Sequence, residues 1–240
     1  MKKSMLTISM LCAASAAWAA IITDDFQRAD QDYTSDCSLI GVDWAQVNLA
    51  NKWQLNGGVV YANPGANQSV MYNVGLETVS GSGTSFALEL DVVGRYDSVW
   101  SGVVFNYQDE ANFYVLRFKT TANDYQLLRS VAGNLGILNS GHASANFDTN
   151  IGYTLAVTSD TAHDFDFSIK LGATLRASGN GVDGDANFTD GYAGLYVDKI
   201  GGAPAKFDNF SLEVIPEPAT LGLIGICAAG ALFIRRRLVL

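Results

Sequence analysis

Residues 85–94 read SFALELDVVG, and their spacing decides the fold. Phe86, Leu88, Leu90 and Val92 recur at every second position, with Ala87, Glu89, Asp91 and Val93 between them. A period of two puts the first set on one face of an extended strand and the second on the other, so one face belongs to a core. The same texture repeats outward from this stretch. Residues 53–62 (WQLNGGVVYA) read as a hairpin in which Asn56-Gly57-Gly58 supplies the positive φ of a tight turn. Residues 101–118 (SGVVFNYQDEANFYVLRF) predict two strands around the polar turn Gln108 to Asn112, and DYQLLRSV follows from Asp124 after a further turn. Later candidates are YTLAVTS (153–159), DFDFSIKL (164–171), TLRAS (174–178), GYAGLYV (191–197) and KFDNFSLEV (206–214). About a dozen short strands with polar turns, and almost no helical periodicity from 20 to 215, predict an all-β protein. The expected architecture is two packed antiparallel sheets, a β-sandwich of jelly-roll type.

The two ends read differently. Lys2 and Lys3 precede the apolar run MLTISMLCAASAAW, which closes on Ala17-Trp18-Ala19, small residues at both positions a signal peptidase reads. Residues 1–19 are therefore expected to form a signal helix, cleaved after Ala19. At the other end, Ala219 to Ile234 is apolar or small throughout, about 24 Å as a helix against a hydrocarbon core of about 30 Å. Arg235, Arg236 and Arg237 follow at once, and the positive-inside rule places them in the cytoplasm. Pro216 and Pro218 bracket Glu217 just before this single transmembrane segment and hold an extended stretch where a protease can engage. Between the ends, residues 20–214 suit one β-rich domain.

Charge and cysteine count narrow the function classes. Removing Lys2, Lys3 and the three terminal arginines from 15 basic residues leaves 10, and removing Glu217 from 24 acids leaves 23, so the body is near −13 against −9 for the whole chain. Nucleic-acid binding is excluded, because phosphates need clustered Lys and Arg. Cys12 and Cys227 fall in the end segments, which leaves Cys37 alone in the body with no disulfide partner.

Two resemblances add to this reading. P-E-P at 216–218, the apolar segment and the arginine cluster together closely resemble the PEP-CTERM sorting signal, spanning 215–240. That resemblance implies recognition by exosortase, an integral membrane protease-transpeptidase, and removal of the tail near P-E-P. It also implies a Gram-negative host, transient anchoring in the inner membrane, and a cell-surface or biofilm-matrix destination. DDFQRAD (24–30) with Trp44 and Trp53, GVVFNYQDEANFYVLRF (102–118) and YAGLYVDKIGGAPAKFDNFSLE (192–213) are similar to concanavalin A-like and laminin G-like sandwich modules. In that group the D-D-F segment lies beside the final strand, and one structural calcium often clips the two. The matching positions are Asp24 or Asp25 and Asp208. The resembled fold also presents its middle strands as a concave sheet, on which Trp100, Tyr107, Tyr114, Arg117 and Tyr125 are the candidate sugar contacts, aromatic rings with a hydrogen-bonding partner.

Catalytic patterns are incomplete. Glu89 and Asp91 share a strand face, as glycoside hydrolysis requires of two carboxylates. Family 16 glycoside hydrolases of this fold carry E-x-D-x-x-E, and here Gly94 stands where the third carboxylate belongs. DGDANFTD (183–190) is calcium-like without the full EF-hand pattern. His142 and His163 lack metal-binding spacing and a G-x-S-x-G companion, and read as surface or turn residues. The N-x-[ST] matches at Asn67, Asn187 and Asn209 are assigned no role. The reading is an exported, non-catalytic polysaccharide-binding protein. A hydrolase of the same fold and a purely structural matrix protein are the alternatives.

Overall fold

The computed structural model describes residues 19–34, 43–47, 53–62, 69–79, 84–94, 99–120, 123–149, 151–161, 163–185, 187–198 and 205–216. The expected signal helix, Cys37, Glu217, Pro218, the membrane segment and Arg235 to Arg237 lie outside these residues. Ala19–Ile215 is one compact unit. Its strands begin with β1 (Ala20–Asp24), β2 (Gln31–Thr34), β3 (Trp44–Val47), β4 (Trp53–Asn56) and β5 (Val59–Ala62). Longer strands follow: β6 (Ser69–Val79), β7 (Thr84–Gly94), β8 (Trp100–Asp109), β9 (Asn112–Phe118), β10 (Asp124–Val131) and β11 (Asn134–His142). The chain continues through β12 (Tyr153–Thr161), β13 (Asp164–Leu171), β14 (Thr174–Val182), β15 (Asp190–Asp198) and β16 (Ala205–Pro216). Among the described residues no helix is long and apolar enough to cross a membrane.

All these strands fall into two antiparallel sheets, as the alternation predicts. The nine-stranded sheet runs β14-β13-β12-β7-β16-β5-β4-β2, with β1 added on β16; the seven-stranded sheet runs β11-β10-β9-β8-β15-β6-β3. β7 supplies the inner face expected of it, since Phe86, Leu88, Leu90 and Val92 are all buried while Glu89 is exposed. β12 pairs with it so that Leu155 faces Leu90 and Val157 faces Leu88. Val103, Phe105, Tyr114 and Leu116 answer from the seven-stranded sheet, and together these residues form the core between the sheets. Each fully buried side chain of this size contributes about 1.5–3 kcal/mol relative to exposure.

The β4–β5 hairpin turns where the sequence places it. Asn56 pairs with Val59, and Gly57 and Gly58 both have positive φ, 61° and 74°. That is the I′ geometry that matches strand twist. The D-D-F segment lies beside the last strand, as the resemblance implies: Asp24 of β1 is opposite Phe210 of β16. β1, β2, β3, β6 and β11 were not among the strands expected. β11 has two glycines among NLGILNSGH and is an outer strand of its sheet, so alternation is faint there. β6 changes register against β15 at Tyr192/Ala193, which breaks its period.

Candidate functional site

Alternation gives the seven-stranded sheet a second apolar face, turned away from the core. Val70, Val104, Tyr107, Phe113, Val115, Leu128 and Tyr196 cluster there, with Val47, Tyr72, Trp100 and Tyr192 packed against them. Asn106, with a φ of 44°, is the reason Tyr107 joins this face. The pairing of β8 with β9 and β15 shifts across it, so residues 104 and 107 point the same way.

The rings on this face form a continuous row. Tyr192 stacks on Tyr72 at 5.4 Å between centroids, Tyr72 meets Tyr107 at 4.8 Å, Tyr107 meets Phe113 at 6.1 Å, and Phe113 meets Tyr196 at 6.2 Å. Tyr196 and Phe113 are fully buried and Tyr107 is 3% exposed, whereas Trp100, Tyr72 and Tyr192 are half-buried. Burial holds the Tyr107 and Tyr196 phenols well above their ordinary pKa, and carboxylates nearby add to it. Tyr192 is raised first by the charge of Glu77.

Arg117 closes one end of the row. Its Nη1 donates to the Tyr196 hydroxyl at 3.2 Å and to Asp198 Oδ2 at 2.9 Å. Its Nε and Nη2 donate to Gln126 Oε1 at 3.1 and 2.8 Å. The guanidinium carbon lies 4.5 Å from the Trp100 ring centroid, and Lys119 Nζ lies 4.6 Å from the same centroid. A guanidinium that is only 7% exposed is tolerable because these acceptors satisfy it.

Of the five candidate sugar contacts, the structure therefore brings Trp100, Tyr107 and Arg117 together on one face. Tyr114 and Tyr125 are elsewhere. Tyr114 is fully buried in the core between the sheets, and its hydroxyl donates to Asp183 at 2.6 Å. Tyr125 packs on the same core against Phe167 at 5.5 Å. Both sit one residue out of step with the outward set on β9 and β10, a parity that composition does not reveal. Tyr72 and Tyr192, which the sequence reading missed, take their place; the signal was the spacing of Tyr192 and Tyr196 on one strand face.

The acidic candidates have other partners. Asp24 accepts from the Phe26 amide, the Arg28 guanidinium and Trp44 Nε1 at 2.8, 2.6 and 2.8 Å. Asp25 accepts from the Gln27 amide and Asp208 from the Asn209 amide. Burial, with the charges of Asp91, Asp25 and Asp24, raises the pKa of Asp208. Among the described residues no group of three or more His, Cys, Asp or Glu could hold a metal ion. Calcium takes six to eight oxygens, so an ion here would draw most of its ligands from backbone carbonyls. Glu89 is exposed, and Asp91 accepts from Thr154 Oγ1 and Asn209 Nδ2, both on the outer face of the other sheet. His142 is exposed and pairs with Asp124, while His163 is buried at a turn with a φ of 67°.

Comparison with known proteins agrees with this architecture. Residues 214–237 match the PEP-CTERM protein-sorting motif, so the chain carries the signal of an exported protein processed at the membrane. No curated protein sequence matches the chain. Among solved structures, carbohydrate binding module CBM66 from Bacillus subtilis is similar at TM-score 0.52 and 16% identity, over 71% of this chain and 95% of that one. The CBM2 module of the evolved Dit protein of Lactobacillus casei BL23 phage J-1 is similar at 0.55 and 11%, over 81% and 95%. The GH43 BlXynB protein from Bacillus licheniformis is similar at 0.52 and 17%, but this chain spans only 39% of its length. At such identities the likeness establishes the fold: an antiparallel β-sandwich of the kind found in carbohydrate-binding modules.

Proposed function

We propose that this exported protein binds extracellular polysaccharide without cleaving it, at the surface or in the matrix of a Gram-negative cell. The observation that carries the reading is the aromatic row ending in the Trp100–Arg117 pair on the outward face of the seven-stranded sheet. Half-buried rings on a sheet face offer apolar area to sugar faces, and a preorganised guanidinium orients hydroxyls. Carbohydrate-binding modules share the fold, which is consistent with the role. Glu77, opposite Tyr192, and Asp198, six residues along β15, stand about 20 Å apart along that strand. Hydrolytic carboxylate pairs stand about 5 to 9.5 Å apart, so these two acids do not form one. A structural calcium shared by Asp25 and Asp208 remains part of the proposal, as does exosortase as the processing partner.

The test is retention of purified protein on insoluble and immobilised polysaccharides, with calcium or with chelator, followed by sizing of the retained sugar. Retention with sugar of unchanged length, reduced about tenfold by Trp100→Ala, supports the proposal. Shortened sugar selects the hydrolase, and absence of retention on every polymer selects a structural matrix protein. A calcium-dependent rise in melting temperature supports the ion at Asp25 and Asp208; equal melting with chelator removes it.

A further inference from the structure

Where the β8–β9 hairpin meets residues 187–190, a cavity of about 370 Å³ is lined by Gln108, Asn112, Asn187, Phe188, Thr189 and Asp190. None of the rings of the outward row lines it. Strand alternation turns Gln108 and Asn112 to the side opposite Tyr107 and Phe113, and Phe188 packs edge-on against the core residue Tyr114 at 5.6 Å.

The walls are held from behind. The Asn106 backbone amide donates to Thr78 Oγ1 at 2.9 Å, and its side-chain amide donates to the Phe188 carbonyl at 2.9 Å. Asn187 Nδ2 donates to the buried carboxylate of Asp183 at 3.0 Å. Gln108 Nε2 donates to the Asp190 carbonyl at 2.6 Å and to its carboxylate at 3.2 Å. Carbonyls and carboxylates only accept, so these contacts decide which end of each amide is nitrogen. Asn112 is committed at both ends, donating to Asp109 and accepting from the Ala132 amide at 2.9 Å. Gln108, Asn187 and Asp190 are left with oxygen acceptors to offer a ligand, and Asn187 with one further N–H.

An array of fixed acceptors beside one aromatic wall suits a ligand with several donors and an apolar flank. A sugar ring has that chemistry. The Asp190 carboxylate disfavours an anion, and a hard cation would find one carboxylate and two amide oxygens where it needs six to eight ligands. We propose that this rim cavity is a second saccharide site, taking a single ring or a chain end, separate from the outward face that takes the body of a polymer. The ligand class rests on the polysaccharide-binding reading; the site does not.

Saturation-transfer NMR on the purified full chain tests it, with D-glucose, D-galactose, D-mannose, D-xylose and D-fructose as probes and polymer retention measured in parallel. At least one monosaccharide gives a signal in the native protein and in Trp100→Ala, and its affinity falls about tenfold or more in Gln108→Ala and in Asp190→Ala. Both positions are exposed, and equal melting temperatures certify those two variants as folded. Polymer retention that survives Gln108→Ala and Asp190→Ala while the monosaccharide signal is lost supports two separate sites. Monosaccharide binding at the cavity without polymer retention supports the cavity and removes the outward face. No signal from any monosaccharide, a signal unchanged in both cavity variants, or one displaced by calcium overturns the proposal.

Discussion

At the residue scale, Asp183 shows how a loop that looks built for a cation serves the fold instead. Its carboxylate is 2% exposed and receives the Tyr114 hydroxyl, the Arg129 guanidinium, the Asn187 amide and, at 3.2 Å, the Asp185 backbone amide. Burial alone would raise its pKa, but the hydrogen bonds from Tyr114, Asn187 and Asp185 and the charge of Arg129 outweigh it and bring the pKa down to about 2. The unfolded value is about 3.9, so the folded state binds this proton less tightly. Its stabilisation is therefore present above about pH 4 and is lost as pH falls towards 2. Asp183→Asn is expected to cost about 2–3 kcal/mol at pH 7 in urea denaturation, because Arg129 loses its buried counter-charge. The gap between the two proteins should narrow between pH 4 and 2. A gap that stays constant would mean the charge is not what Asp183 contributes.

At the element scale, the β4–β5 hairpin isolates the cost of backbone handedness. A Cβ on Gly57 would meet no atom within 4 Å, so only its φ of 61° resists a side chain. Gly57→Val is expected to cost about 1–2 kcal/mol and Gly57→Asn distinctly less, since Asn tolerates the left-handed region. In a protein of this size each kcal/mol lowers the melting temperature by about 2–4 °C, which differential scanning calorimetry resolves. The hairpin was legible because Asn-Gly-Gly is local chemistry. β11 was not, because a glycine-rich outer strand takes its conformation from hydrogen bonds to β10 and not from its own alternation.

At the scale of the whole molecule, the sorting motif begins inside the sandwich. It starts at Val214, which is buried in the core, while β16 runs on to Pro216. Cleavage near P-E-P would leave Leu212 and Val214 in place, so the domain is expected to keep its melting temperature when the tail is removed. In a host with exosortase, intact-mass measurement of the exported protein should show a chain ending near Pro216 to Pro218. Glu217→Ala should return the chain with its tail. The same mass for both proteins would overturn the role of that acid.

Two-residue alternation, the turn at Asn56 to Gly58, the acidic body and the P-E-P tail are all properties of neighbouring residues, and the sequence by itself determined them. Physical reach explains the rest. Whether Tyr107 faces outward turns on the register shift at Asn106, which is held by Thr78 from another strand. Arg117 meets Tyr196 and Asp198 across about 80 positions of sequence, Asp183 meets Tyr114 across 69, and Gln108 meets Asp190 across 82. Such contacts form only when the sheet has assembled, so the aromatic face and the rim cavity were decided by tertiary structure, through strand register that no local pattern encodes.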